Sequence, residues 1–166
     1  MSAPVVGFDE FVRSRSRDLL RIGWLLTGDW NLAEDLVQIA LARCWPRWES
    51  VTAPDAYVRA AVVNAHLSWR RRRAAGELLD PGLDSPAADD LGPAEVRECV
   101  RVALAALSPR ERAVVVLRYY LDLSETDAAA SLGVAVGSVK RYAADALAKL
   151  RSAPSLSGLL SEEVSG

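Results

Sequence analysis

An all-α chain of two small helical domains is what this sequence predicts, and three features carry the expectation. Apolar residues recur at spacings of three and four, and no stretch shows the period of two expected of a half-buried strand. Helix start and stop signals punctuate the pattern, among them Ser108-Pro109, Ser124, Gly28 and Gly133. Residues 74–93 break it with Gly76, Pro81, Gly82, Ser85, Pro86, Gly92 and Pro93 set among acids, the composition of a flexible linker. The expected domains are therefore 8–73 and 94–151, joined by a flexible acidic linker, 74–93, and followed by a tail, 152–166.

The first domain holds three helices. From Phe8 the stripe Phe8, Phe11, Val12, Leu19, Ile22 and Leu26 predicts a helix that stops at Thr27-Gly28-Asp29, with Arg13, Arg15 and Arg17 on its polar side. A second helix, about Trp30 to Arg47, is capped by Asp29 or Asn31 and buries Ala33, Leu36, Val37, Ala40, Leu41, Cys44 and Trp48. Glu34, Asp35, Gln38 and Arg43 lie off that stripe, as a solvated face or as a docking face for a basic partner. Pro46 and Pro54 bracket a loop. A third helix then runs from Pro54 to about Arg73, with Val58, Ala61, Val62, Ala65 and Trp69 inward. Its other side carries Tyr57, Arg59, Asn64, His66 and Arg70, with the basic run following. Aromatic and guanidinium planes stack on bases, an amide meets a base edge and arginines meet phosphates, so this side suits single-stranded nucleic acid. His66 is expected to be an exposed bystander, and Trp30, Trp45 and Trp48 to anchor packing.

The second domain opens at Pro93 with a helix over about Ala94 to Leu107, whose inward residues are Val96, Val100, Ala103, Leu104 and Leu107. Ser108-Pro109-Arg110-Glu111 has the composition of a capping box with proline at the first helical position. Ser124-Glu125-Thr126-Asp127 repeats it with Asp in place of Glu, and that helix ends at Gly133, which takes a positive φ at low cost. A last helix, roughly Val136 to Leu150, buries Val139, Ala143, Ala146, Leu147 and Leu150. Ser138, Arg141, Tyr142 and Asp145 share its opposite face, with Lys140 beside them. Two short helices around a glycine turn form a helix-turn-helix whose second member fits a DNA major groove.

Composition narrows the function classes. Of 166 residues, 51% are hydrophobic and 25% charged, the proportions of a globular protein, while a formal net charge of −2 argues against a simple nucleic-acid binder. The charge is uneven: Arg70 to Arg73 is a basic run, and Glu77, Asp80, Asp84, Asp89, Asp90, Glu95 and Glu98 make the following stretch acidic. Cys44 and Cys99 sit far apart in helical patterns and read as small apolar residues in a reducing compartment. With one histidine no zinc set and no Ser-His-acid set assembles, and no phosphate-cradling glycine loop occurs. We therefore expect no catalytic residues, no metal, no cofactor and no small-molecule substrate. No apolar run resembles a signal peptide or a bilayer-spanning helix, so a cytoplasmic location without membrane insertion is expected.

These residues together resemble a family. Leu26-Thr27-Gly28-Asp29 with Ala33-Glu34-Asp35-Leu36-Val37-Gln38, Tyr57-Val58-Arg59 with Val63-Asn64 and the arginine run, Leu107-Ser108-Pro109-Arg110-Glu111-Arg112, Leu117-Arg118-Tyr119-Tyr120, and Leu132-Gly133 with Val136-Gly137-Ser138-Val139-Lys140 occur in order. Over nearly its whole length the chain resembles the extracytoplasmic-function sigma factors of the sigma-70 type. The resemblance implies a promoter-specificity subunit of RNA polymerase, with a region 2-like bundle and a region 4-like helix-turn-helix. It implies core-polymerase binding through Glu34, Asp35, Gln38 and Arg43 on the β′ coiled coil, with the β flap as a second polymerase partner. It implies minus-ten recognition of a melted strand by Ser50, Val51, Tyr57, Arg59, Asn64, Arg70 and Arg71, and minus-thirty-five recognition of duplex by Ser138, Lys140, Arg141, Tyr142 and Asp145. An anti-sigma factor is a further partner it allows, and the acidic linker would follow the RNA exit path. Ile39, Ala135 and Tyr142 depart from the family's usual Glu, Ser or Thr, and basic residue. The competing class is an autonomous helix-turn-helix regulator that binds DNA as a dimer.

Overall fold

The computed structural model of the chain describes residues 6–74 and 92–154, without the side chains of residues 73 and 74, and divides into two compact units, Met1–Ala87 and Ala88–Gly166. The interior of the expected linker, and the tail beyond Pro154, lie outside the described residues. Every regular element among the described residues is helical, as the spacing predicts.

The N-terminal unit packs α1 (Phe8–Thr27), α2 (Trp30–Cys44) and α3 (Pro54–Ala74). Helix α1 ends where Gly28, at φ 71°, turns left-handed and donates its amide to the Trp24 carbonyl. One residue later Asp29 starts α2. Its carboxylate accepts from the amides of Asn31 at 2.8 Å and Leu32 at 3.2 Å, so the cap is Asp29 and not Asn31. The hairpin then closes tightly. A Cβ added to Gly23 would lie 2.8 Å from the Cβ and 2.9 Å from the Cα of Ala33, so the two helices touch backbone to side chain there. Trp24 and Trp30 stack beside this crossing with centroids 5.6 Å apart. On the far side of α2, Leu32 and Leu36 pack on Ala65 and Trp69 of α3, with half-buried Ile39 against them.

Three expectations are corrected here. Helix α2 stops at Cys44 rather than near Arg47, because Pro46 has no amide to donate, and residues Trp45–Ser50 tighten into a 3-10 turn. That turn buries Trp48 against Phe8 and Phe11, where its indole donates to the Val6 carbonyl at 2.9 Å, but leaves Trp45 61% exposed, with an edge contact to Phe8. His66 is buried, not a bystander. It falls on the same arc of α3 as Val58, Val62 and Trp69, and its ring lies nearly parallel to that of Trp69. Cys44 is buried as expected, and burial pushes its thiol up.

The C-terminal unit consists of α4 (Ala94–Ala105), α5 (Pro109–Val115), α6 (Glu125–Leu132) and α7 (Val136–Arg151). Pro93 precedes α4 as expected. The capping box at α5 is complete: the Glu111 amide donates to the Ser108 hydroxyl at 3.2 Å, and the Ser108 amide donates to the Glu111 carboxylate at 2.8 Å. The same carboxylate oxygen accepts from Lys149 Nζ at 2.7 Å, which ties the start of α5 to the last turn of α7. After α5 the chain widens into a π-helical turn, Val116–Tyr120, closed by the Leu121 amide on the Val116 carbonyl at 3.0 Å, and Asp122 then turns left-handed at φ 54°. Ser124 caps α6 through the Asp127 amide at 3.0 Å. Asp127 is too short to return the bond as Glu111 does. Gly133, at φ 66°, ends α6, and α7 begins at Ala135 without a side-chain cap. Val139, Ala143 and Ala146 of α7 are buried on a core that includes Leu104, Leu107, Val114, Leu117 and Ala128, while Leu147 and Leu150 are half-buried.

Two outcomes test these contacts. Gly23→Ala is expected to destabilise the N-terminal unit by about 1–3 kcal/mol, the usual cost of overpacking, read as a lower urea midpoint; an unchanged midpoint would mean that α1 and α2 separate at no cost. Burial alone would raise the Glu111 carboxyl, but Lys149 and the Ser108 amide and hydroxyl outweigh it and hold the group below its ordinary value. Its stabilising contribution is thus fully present above about pH 4.3, the unfolded value, and is lost as pH falls through the depressed folded value. Glu111→Gln is expected to cost about 1–2 kcal/mol at pH 7 and to flatten the stability profile between about pH 5 and 3. Parallel wild-type and variant profiles would contradict this.

Candidate nucleic-acid interface

The exposed surface of the N-terminal unit offers two chemically different faces. On α2, Glu34, Asp35 and Gln38 stand within one turn and are exposed, and Arg43 is exposed near the helix end. They face outward, and Leu32, Ala33, Leu36, Val37, Ala40 and Leu41 supply the inward contacts. Ile39, which departs from the family pattern, packs toward α3 and leaves this polar face unbroken.

The residues expected to meet a single strand are not all on one side of α3. A spacing of seven returns to nearly the same face of a helix, so Tyr57, Asn64 and Arg71 are stacked along one line. Tyr57 is 37% exposed, Asn64 and Arg71 are exposed, and Arg71 donates to the Ser68 hydroxyl at 3.2 Å. Arg59 and Arg70 project almost opposite, at the edge of the arc that buries His66, with Arg59 half-buried and Arg70 exposed. In the loop before α3, Ser50 is exposed and donates to the Arg47 carbonyl at 2.8 Å, while the Val51 side chain turns into the core. Val51 therefore anchors the loop, and Thr52 and Ala53 are its exposed tip. Arg15 holds the start of α3 through Asp55 at 3.0 Å.

In the C-terminal unit, Ser138, Arg141, Tyr142 and Asp145 share one face of α7, beside the buried stripe of Val139, Ala143 and Ala146. Arg141 and Asp145 are exposed, and Ser138 and Tyr142 half-buried. The Arg141 guanidinium lies over the Tyr142 ring, 5.3 Å from its centroid, a stacking that restricts the arginine fork. Lys140 is 66% exposed and loosely paired with Glu125 of α6 at 3.8 Å, a contact worth little at a surface and easily exchanged for a phosphate.

Sequence reasoning missed three features. The Glu111–Lys149 bond joins residues far apart in the chain, and no local pattern announces it. Tyr119 and Tyr120 stand in the π turn, 48% and 44% exposed, where a regular helix would have been expected. Arg118 beneath them donates to the Leu123 carbonyl and lies 3.9 Å from Glu125, bracing the turn between α5 and α6.

Comparison with known proteins agrees with this geometry in both units. The family description "Sigma-70 region 2" matches residues 11–76, and "Sigma-70, region 4" matches residues 97–150. The chain is 38% identical over 151 residues to the RNA polymerase sigma-E factor of Streptomyces coelicolor, covering 89% of this chain and 85% of that protein. It is 35% identical over 141 residues to the ECF RNA polymerase sigma factor SigL of Mycobacterium tuberculosis, covering 78% and 80%. Among solved structures, the sigma factor RpoE of Bartonella quintana, crystallised with the anti-sigma factor NepR, matches with a TM-score of 0.69 at 25% identity, over 87% of this chain and 94% of that one. CnrH, in complex with the cytosolic domain of CnrY, shares the fold with a TM-score of 0.60 at 23% identity, over 87% and 85%. Helix composition, the helix-turn-helix and both regional matches lead to one assignment: the chain belongs to the extracytoplasmic-function sigma factors of the sigma-70 family, which direct RNA polymerase to promoters and so initiate transcription.

Proposed function

We propose that the labour of promoter recognition is divided between the two units at the residues described. The acidic and amide face of α2, Glu34, Asp35 and Gln38 with Arg43, docks on the β′ coiled coil of core RNA polymerase, and the β flap holds the C-terminal unit. The single observation that carries this is the α2 surface: charged side chains gathered on one exposed face, supported behind by a continuous apolar seam.

The line Tyr57, Asn64 and Arg71 offers a ring, an amide and a guanidinium in register, the chemistry that tracks a single strand. The Ser50–Ala53 loop lies just before it and takes a flipped base of the minus-ten element. Arg59, Arg70 and Arg72 supply phosphate contacts from the flanks. Flipping costs a few kcal/mol, which stacking and pocket contacts offset. On α7, Arg141 reads a base edge of the minus-thirty-five element, positioned by Tyr142, while Lys140 and Ser138 meet phosphates and Asp145 excludes mispaired registers. Polymerase supplies the chemistry and most of the non-specific phosphate contacts, which is why a net charge of −2 is compatible with this role. The protein acts in the cytoplasm, and an anti-sigma factor that covers both units would hold it inactive.

Asp35→Ala is expected to weaken binding to core polymerase by about 2 kcal/mol or more, roughly thirtyfold in Kd, without lowering the protein's own stability. Retention at full strength on immobilised core enzyme would contradict the docking face. Arg141→Ala is expected to lose about 1–3 kcal/mol of discrimination at one minus-thirty-five base pair, measured by run-off transcription on duplex promoters, while a template already melted at the minus-ten element is used nearly as well as by wild type. Equal loss on both templates would place Arg141 outside base readout.

A further inference from the structure

We propose that the groove between α4 and the end of α7 is the docking site of the chain's own tail, residues 155–166. The groove has a volume of about 770 Å³ and is lined by Val102, Ala103 and Ala106 on one side and by Ala148, Lys149 and Ser152 on the other, with Ala153 and Pro154 at its rim. That size falls within the range of about 300–1,000 Å³ typical of ligand pockets.

The lining is apolar in effect. The Lys149 ammonium is engaged by Glu111 at 2.7 Å, so its alkyl stem serves as wall. Val102 is 47% exposed in the groove, beside the buried Ala103 and Leu104.

The occupant follows from covalent geometry. Pro154 is itself part of the rim, and two residues of chain span at most about 7 Å, so the segment that follows is tethered at the groove. Leu156, Leu159 and Leu160 recur at offsets of three and four, the spacing that gathers apolar side chains on one side of a helical turn. Tethering keeps their effective concentration high, so even a weak fit is occupied. Glu162 and Glu163 follow the leucines, and Arg151, exposed in the last turn of α7, has the complementary charge. Bound in this way, the tail covers the apolar face of the C-terminal unit in the free protein.

Methyl and amide NMR of the full chain tests this against two variants, one ending after Pro154 and one carrying Leu156→Ser, Leu159→Ser and Leu160→Ser. Both changes are expected to shift the Val102 and Ala106 methyl resonances and to speed amide exchange over residues 102–106 roughly tenfold, with the Val139 methyls in the core unmoved. A peptide of residues 155–166 added to the shortened chain is expected to reverse the shifts. Identical Val102 resonances in all three proteins would overturn the proposal. So would shifts that track the concentration of the full chain, which would place a second copy in the groove.

Discussion

The Glu111 carboxylate organises the helix-turn-helix unit. It is buried, and it satisfies two donors, the Ser108 amide through the capping box and Lys149 Nζ from α7, while the Ser108 hydroxyl completes the exchange by accepting from the Glu111 amide. A buried carboxylate without partners would be strongly unfavourable, so the geometry that supplies those partners is enforced. The start of α5 and the end of α7 are thereby fixed to each other. The face of α7 that carries Arg141 and Tyr142 is oriented by a bond made at the helix's opposite end. In the N-terminal unit the equivalent constraint is steric. Gly23 lets Ala33 approach to contact, and that approach brings the two tryptophans into stacking distance and sets where α2 presents its acids.

A shared logic places the functional side chains. Each surface face is backed by small or branched apolar residues: Ala33, Ala40 and Val37 behind the α2 acids, Val58 and Val62 behind α3, and Ala143 and Ala146 behind α7. Small residues let helices approach closely, and the polar residues of the opposite face need not contribute to packing. They are available for binding because stability is supplied elsewhere. Lys140 and Arg141 illustrate the point, since their local partners, a long ion pair and a ring face, are weak enough to yield to DNA.

Much of this was legible in the chain. The caps at Asp29, Ser108 and Ser124 and the stops at Gly28 and Gly133 each depend on a few neighbouring residues, so their chemistry is written locally. The exposed positions of Glu34, Asp35, Gln38, Arg141 and Asp145 follow from periodicity. Reading failed where a residue's surroundings come from other elements. Polar neighbours along the chain place His66 outward, but the bundle closes over it. Its size suggests that Trp45 anchors packing, but Pro46 ends the helix and the resulting turn leaves it outside. Val51, in a loop between polar residues, turns inward because the adjoining 3-10 turn rotates it there.

What the sequence determined by itself was the list of helices, their caps, and the family, because hydrogen-bonding at helix ends and apolar spacing act over a few residues. What only the tertiary structure decided was that His66 joins the buried arc of α3, how the π turn exposes Tyr119 and Tyr120, and that Lys149 reaches back to Glu111. Those outcomes depend on contacts between residues distant along the chain, and no local pattern encodes the distance between two packed helices.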